Sequence, residues 1–153
     1  MSRIRGKDTK PEMLVRRGLH AAGYRFRLHR RDLPGSPDLV LPRHHAVIFV
    51  HGCFWHAHAD CKNFKIPRSR AAFWQEKLMG NKERDARNTR ALLEMGWRVL
   101  VVWECATRQK NTTKLINDII LWLQSGQKLG ELVRTTKETG ISFPVTREPK
   151  DIE

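Results

Sequence analysis

AVIFVHGCFWHAHADC, residues 46–61, opens with five apolar residues in an unbroken run. Such a run is the pattern of a strand buried on both faces, and a strand of that kind needs helices above and below it. The run then gives way to three histidines, two cysteines and the pair Phe54-Trp55. A second continuous apolar strand is expected in WRVLVVWE, residues 97–104, and should lie centrally in the same sheet.

Working outward, LPGSPD is a turn punctuated by Pro34, Gly35 and Pro37, and it feeds a short strand, DLVL. Upstream, Tyr24, Phe26 and Leu28 alternate with Arg25, Arg27 and His29, which predicts a half-buried strand with a basic outer face. Before it, DTKPEMLVRRGLHAAG reads as a helix with Thr9 as N-cap, Pro11 in the first turn, an apolar stripe of Leu14, Val15, Leu19 and Ala22, and Gly23 as terminator. A long helix is expected over about residues 69–95, stopped by Gly96, and a last amphipathic helix in TTKLINDIILWLQSG, capped near Thr112 or Thr113. The order αβββαβα predicts an α/β fold, a mixed sheet flanked by helices. Residues 1–125 form one domain in this reading, and residues 126–153 an extension, irregular or loosely docked.

A chain of 153 residues, 40% hydrophobic and with five tryptophans, has the makings of a single globular domain. No apolar run approaches the ~20 residues of a membrane span, so a cytoplasmic protein is expected. Three cysteines cannot close a disulfide set and are better read as ligands or buried thiols. Lysine and arginine number 29 against 16 acidic residues, a net charge of +13. Because these cations recur within the periodic segments, they argue for a nucleic-acid partner rather than a basic tail.

Three groups of residues carry chemistry. Cys53, His58 and Cys61 follow a C-x4-H-x2-C spacing, and Cys105 comes after the last strand. Thiolates with imidazole suit a tetrahedral structural zinc, with His56 a competing choice for the imidazole. Asp38, directly after a proline, and His51, at the end of the next strand, can meet at one end of a hairpin. There Asp38 either holds Mg²⁺ against a phosphate or stabilises the turn. Glu12 is accounted for by a capping box with Thr9. Third, the adjacent Phe54 and Trp55 cannot both point inward from a regular element, and Phe73-Trp74 begin the long helix. In a DNA-binding protein such side chains can wedge between base steps. Trp97, Trp103 and Trp122 read as core.

The segments MSRIRGKDTKPE, LPGSPDLV, VIFVHGCFWH, FWQEK and GWRVLVVWEC together resemble the very short patch repair endonucleases, bacterial enzymes that nick DNA beside a T:G mismatch. The resemblance covers about residues 1–125. It implies a fold similar to that of restriction endonucleases and a structural zinc on Cys53, His58, Cys61 and Cys105. It also implies Asp38 as ligand of the catalytic Mg²⁺ ions (two of them), with the backbone carbonyl of Val50 as a further contact. Glu12 matches the acid that supports the waters of those ions, His51 and His56 the two active-site histidines, and Asp85 an acid that orients His56. Phe54 and Trp55 match the intercalating aromatics, with Trp74 a further wedge or DNA-binding side chain, while Lys77 and Asn81 align near the mismatched pair. Met1 falls at a methionine that inserts beside the mismatch, so the helical arm before it is expected to be absent.

Three departures stand out, one of them an extra residue between His58 and Cys61. The acid-x-Lys element of many nucleases reads Phe49-Val50-His51 here, and Val50 stands where the best-known member has threonine. The implied mechanism pairs His56 and Asp85 as general base and gives His51 the charge on the phosphate, although the two histidines could trade roles. Implied partners are duplex DNA with a T:G mismatch, mismatch-repair proteins and a cytosine-5 methyltransferase system. The enzyme would be a monomer, bacterial and nucleoid-associated. The rival reading is a zinc-stabilised DNA-binding module without hydrolysis, which leaves Asp38, His51 and His56 idle.

Overall fold

The structure is a computed structural model that describes residues 9–59, 61 and 64–134. Its elements are α1 (Lys10–Ala21), β1 (Arg27–Leu28), β2 (Leu39–Leu41), a 3-10 turn (Pro42–His44), β3 (Ala46–His51), α2 (Ala71–Glu94), β4 (Arg98–Trp103), α3 (Glu104–Thr107), α4 (Thr112–Gln124) and β5 (Leu129–Leu132). The strands form one sheet in the order β1-β2-β3-β4-β5. β1, β2 and β3 pair antiparallel, while β3, β4 and β5 pair parallel, so the sheet is mixed as expected. No helix among the described residues is long and apolar enough to cross a membrane.

Side-chain alternation along the strands divides the core in two. Leu39, Leu41, Ile48, Leu100 and Val102 meet Val15 and Leu19 of α1 and Leu115, Ile119 and Trp122 of α4. Val40, Val47, Phe49 and Val99 meet Leu33 and Leu92 on the α2 side. This is why β2, β3 and β4 read as unbroken apolar runs: both faces are covered.

The first expected strand is shorter than the alternation suggested. Tyr24 and Phe26 do pack against the core, but Leu28 is exposed and only Arg27 and Leu28 pair with β2. Pairing stops because β2 itself is three residues long and His29 turns into the left-handed region at φ 49°. α4 is capped by Asn111, whose side chain accepts from the Lys114 amide at 3.0 Å, not by either threonine. The expected Thr9 cap and Gly96 stop of α1 and α2 are both present, Gly96 at φ 94°.

The expectation of irregular chain after residue 126 is corrected at β5, which lies parallel to β4 at the sheet edge. Its sequence LGEL hid it, because a glycine in four residues reads as a breaker. Gly130 is there for packing: a Cβ would lie 2.3 Å from Nε1 of the buried Trp122. Arg98 secures the same corner. Its guanidinium donates to the carbonyls of Trp122, Leu123 and Ser125 at 2.8–3.1 Å and stacks 4.4 Å from the Trp122 ring. It thereby satisfies carbonyls that the end of α4 leaves without helical partners. Residues 135–153 and Met1 lie outside the described residues.

Candidate active site and metal centre

The parallel pair β3 and β4 ends at one edge of the sheet, and the antiparallel β2 begins there. Three elements therefore deliver their terminal residues to one place: Asp38 before β2, His51 at the end of β3, and Glu104-Cys105 after β4. α2 runs past this edge. Trp74, Lys77, Asn81, Asp85 and Asn88 recur at helical spacing on its near side. A cleft of about 550 Å³ is lined by Asp38, Val50, His51, His56, Asp85 and Asn88, together with His29, Arg31, Ser36 and Thr89. Gly35 lets the turn before β2 close on α2, since a Cβ there would meet Asn88 and Phe49 at 3.1 Å, and its φ is 78°.

Asp38 and His51 line the same cleft, but their ligand atoms fall in separate groups, Asp38 with Glu12 and His29 and His51 with His56 and Asp85. Asp38 Oδ2 accepts the Val50 amide at 2.7 Å, a bond that fixes the carboxylate across the strand end. Burial pushes the Asp38 carboxyl up to about 7, and neighbouring Glu12 adds to the shift, against the pull of the Val50 amide. A carboxylate held this way gains much from a nearby cation.

His51 is the most enclosed of the histidines here, and burial lowers it to about 3, with His56 beside it acting the same way. It is neutral at pH 7, so it can donate or accept a hydrogen bond but brings no charge of its own to a phosphate. This alters the part expected for it. His56 stacks on His51 with ring centroids 3.8 Å apart, and its Nδ1 lies 2.6 Å from Asp85 Oδ2. The expected His56–Asp85 pair thus exists as geometry.

Glu12 departs from the capping-box explanation. The Thr9 hydroxyl does accept the Glu12 amide at 3.4 Å, but the Glu12 carboxylate is 2% exposed and points elsewhere. Oε2 bonds Arg16 and lies 2.8 Å from His29 Nε2. Ligand atoms of Glu12, His29 and Asp38 fall within 4.8 Å of one another. Alternation had put His29 on the outer basic face of its strand. The one signal that could have placed it was hairpin arithmetic, because its amide bonds the Asp38 carbonyl at 3.3 Å.

Cys53, His58, Cys61 and Cys105 also converge, their ligand atoms within 4.8 Å of one another. His58, not His56, is the imidazole in this group. Cys105 Sγ lies 3.7 Å from His58 Nδ1. Ligands at tetrahedral zinc distances of ~2.3 Å for sulfur and ~2.0–2.1 Å for nitrogen sit about 3.6 Å apart, so the donor set fits that ion. Burial and the adjacent Cys105 thiol push Cys53 up to about 12, so ionising that sulfur calls for a cation. The loop that carries them is tightly wound. His56 and His58 donate backbone N–H groups to Gly52 and Cys53, and Ala57 sits at φ 51°. Glu104 Oε1 accepts the Cys53 amide at 3.2 Å. Trp103, read as core, is half-buried and stacks on His58 at 3.9 Å.

Phe54 and Trp55 meet edge to face at 5.1 Å, and Trp74 contacts both, at 5.5 and 5.8 Å. Phe64 and Phe73 extend the group. Asn81 Nδ2 donates to the Trp55 carbonyl at 3.0 Å, tying this loop to α2, and Lys77 is exposed one turn earlier. The aromatics are therefore buttressed from behind.

Comparison with known proteins gives the family. The family model for DNA mismatch endonuclease Vsr matches residues 1–63. A Type II nicking enzyme, V.XorIIP of Xanthomonas oryzae pv. oryzae, is 53% identical over 69% of this chain and 76% of its own length. Type II nicking enzyme V.NmeAIP of Neisseria meningitidis is 39% identical over 90% of this chain and 89% of its own. DNA mismatch endonuclease Vsr of Escherichia coli K12 is 48% identical over 71% and 69%. This chain belongs to the DNA mismatch endonuclease Vsr family, the strand-specific endonucleases of mismatch repair.

Proposed function

We propose that this protein nicks one strand of duplex DNA beside T:G mismatches by Mg²⁺-dependent phosphodiester hydrolysis, on a restriction-endonuclease-like domain whose sheet runs through β5. The observation that carries the reading is one cleft holding the Asp38 carboxylate, the stacked His51–His56 pair and Asp85, with an aromatic group on the adjoining loop. The net charge of +13 suits a DNA backbone.

Asp38 and the Val50 carbonyl would hold the magnesium, two ions in the full site, with Glu12 in support. Magnesium supplies charge neutralisation of the phosphate and activation of water. His56, aligned by Asp85, removes the proton from the attacking water. Neutral His51, packed against it, offers a hydrogen bond to the phosphate. Cys53, His58, Cys61 and Cys105 would hold one zinc, which is structural because four protein ligands leave no open position. Its work is to pin the loop that presents His56, Phe54 and Trp55. Phe54 and Trp55 unstack the base step beside the mismatch, backed by Trp74, while Lys77 and Asn81 face the mismatched pair. A T:G wobble is softer than a paired step, which favours the wedge there.

An enzyme of this kind works on the chromosome, hence at the bacterial nucleoid, as a monomer. Mismatch-repair proteins and a cytosine-5 methyltransferase system are its expected partners. The test is nicking of a T:G duplex with and without Mg²⁺, by the native chain and by Asp38→Ala. Loss of nicking with retained DNA binding is expected of the variant. Binding without any nick by the native chain would favour the non-hydrolytic module instead.

A further inference from the structure

Three polar atoms meet beside Asp38 in a way that no proton satisfies. Arg16 Nη2 lies 2.8 Å from His29 Nε2 and also bonds Glu12 Oε2. The same Nε2 lies 2.8 Å from the same Oε2. With a proton on Nε2, His29 donates to Glu12 but turns a donor toward the guanidinium. Without one, it accepts from Arg16 but faces its lone pair to the carboxylate. A divalent cation taking the place of the guanidinium would satisfy both acceptors at once.

The backbone points the same way. His29 holds φ 49°, a left-handed conformation uncommon outside glycine, asparagine, aspartate and histidine. Its amide is bonded to the carbonyl of Asp38 itself at 3.3 Å. The backbone bond to Asp38 and the left-handed turn together place the His29 ring among the ligand atoms beside that residue. Glu12, His29 and Asp38 come from α1, the end of β1 and the start of β2, and their ligand atoms lie within 4.8 Å of one another.

We propose that His29 is a direct ligand, with Glu12 and Asp38, of a mixed carboxylate–imidazole cation site that prefers Mn²⁺ or a similar first-row transition ion to Mg²⁺. This rests on the reading of Asp38 as a metal ligand and adds a residue and a metal preference to it. Magnesium takes oxygen ligands and keeps its waters, whereas imidazole nitrogen raises affinity along the transition series. Arg16 is the cation that holds the carboxylate pair together until the metal arrives, and it swings off Glu12 when the metal binds.

The test uses the full chain with its cysteine site zinc-filled, without DNA, titrated with Mn²⁺ and followed by the free-ion EPR signal, with Mg²⁺ measured by competition. Native protein is expected to hold Mn²⁺ at least about tenfold tighter than Mg²⁺, and His29→Gln to lose about tenfold or more of the Mn²⁺ affinity while Mg²⁺ affinity barely moves. Asp38→Asn should lose both. Pulsed EPR of bound Mn²⁺ should carry nitrogen modulation that His29→Gln removes. Unchanged Mn²⁺ affinity and persistent modulation in His29→Gln, with Asp38→Asn impaired, overturn the role of His29 alone. Unchanged binding in Asp38→Asn overturns the metal reading of Asp38 as well. Should His29→Gln fail to fold, native modulation decides: its absence overturns the proposal.

Discussion

The imidazoles of His51 and His56 lie face to face, with centroids 3.8 Å apart and planes within 2° of parallel. Two stacked imidazoles resist carrying two charges, and Asp85 is hydrogen-bonded to His56, at 2.6 Å. Burial already keeps His51 neutral. The asymmetry assigns proton transfer to His56 in the mechanism proposed here.

Asp85→Asn is therefore expected to lower single-turnover nicking by about 10²–10⁴-fold, the range of a general acid–base contribution, while DNA affinity stays close to native. Rates measured under saturating Mg²⁺ and DNA check this. A variant within a few-fold of native would remove the pair from the chemistry.

Asp38 gives the metal-free fold a distinctive pH dependence. Its carboxyl rises from 3.8 in an ordinary setting to about 7 here, so between those values the folded chain keeps a proton that the unfolded chain has released. Stability from this group is full below about pH 4 and is lost as pH rises through about 7. In chelator that spares the zinc, Asp38→Asn should melt above native protein at pH 8, with the gap closing toward pH 4. Equal melting temperatures at pH 8 would contradict the burial cost.

Cys105→Ser should lower metal content and melting temperature together, because metal binding at a closed site is part of the folding free energy. Native chain is expected to carry about one zinc by elemental analysis, on the four-ligand rule. A zinc-free chain that melts and nicks like the loaded one would refute the site.

Phe54→Ala combined with Trp55→Ala should weaken binding and nicking of T:G duplex far more than binding of T:A duplex. Unstacking is worth a few kcal/mol per step, whereas phosphate contacts survive the change. The measurement is paired affinities for the two duplexes at one salt concentration. Equal losses on both would mean that the aromatics do not discriminate.

Local patterns were enough for the elements whose signal is carried by neighbours in sequence. The unbroken apolar runs of β3 and β4, the Thr9 cap of α1, the Gly96 stop of α2 and the cysteine–histidine spacing are all of this kind, and each is present in the fold. β5 escaped notice because four residues with a central glycine carry no periodicity, and the reason for Gly130 lies in Trp122 on another element.

At the candidate site, residue types and the Vsr resemblance pointed to Asp38, His51, His56, Asp85 and Glu12 in the sequence itself. Tertiary structure alone decided that His51 is neutral and stacked, and that Glu12 turns to Arg16 and His29 rather than closing a cap. Those outcomes depend on distances between α1, the strand ends and α2, and on how much water each group loses there. Sequence encodes them through packing among elements far apart in the chain, and no local pattern reports it.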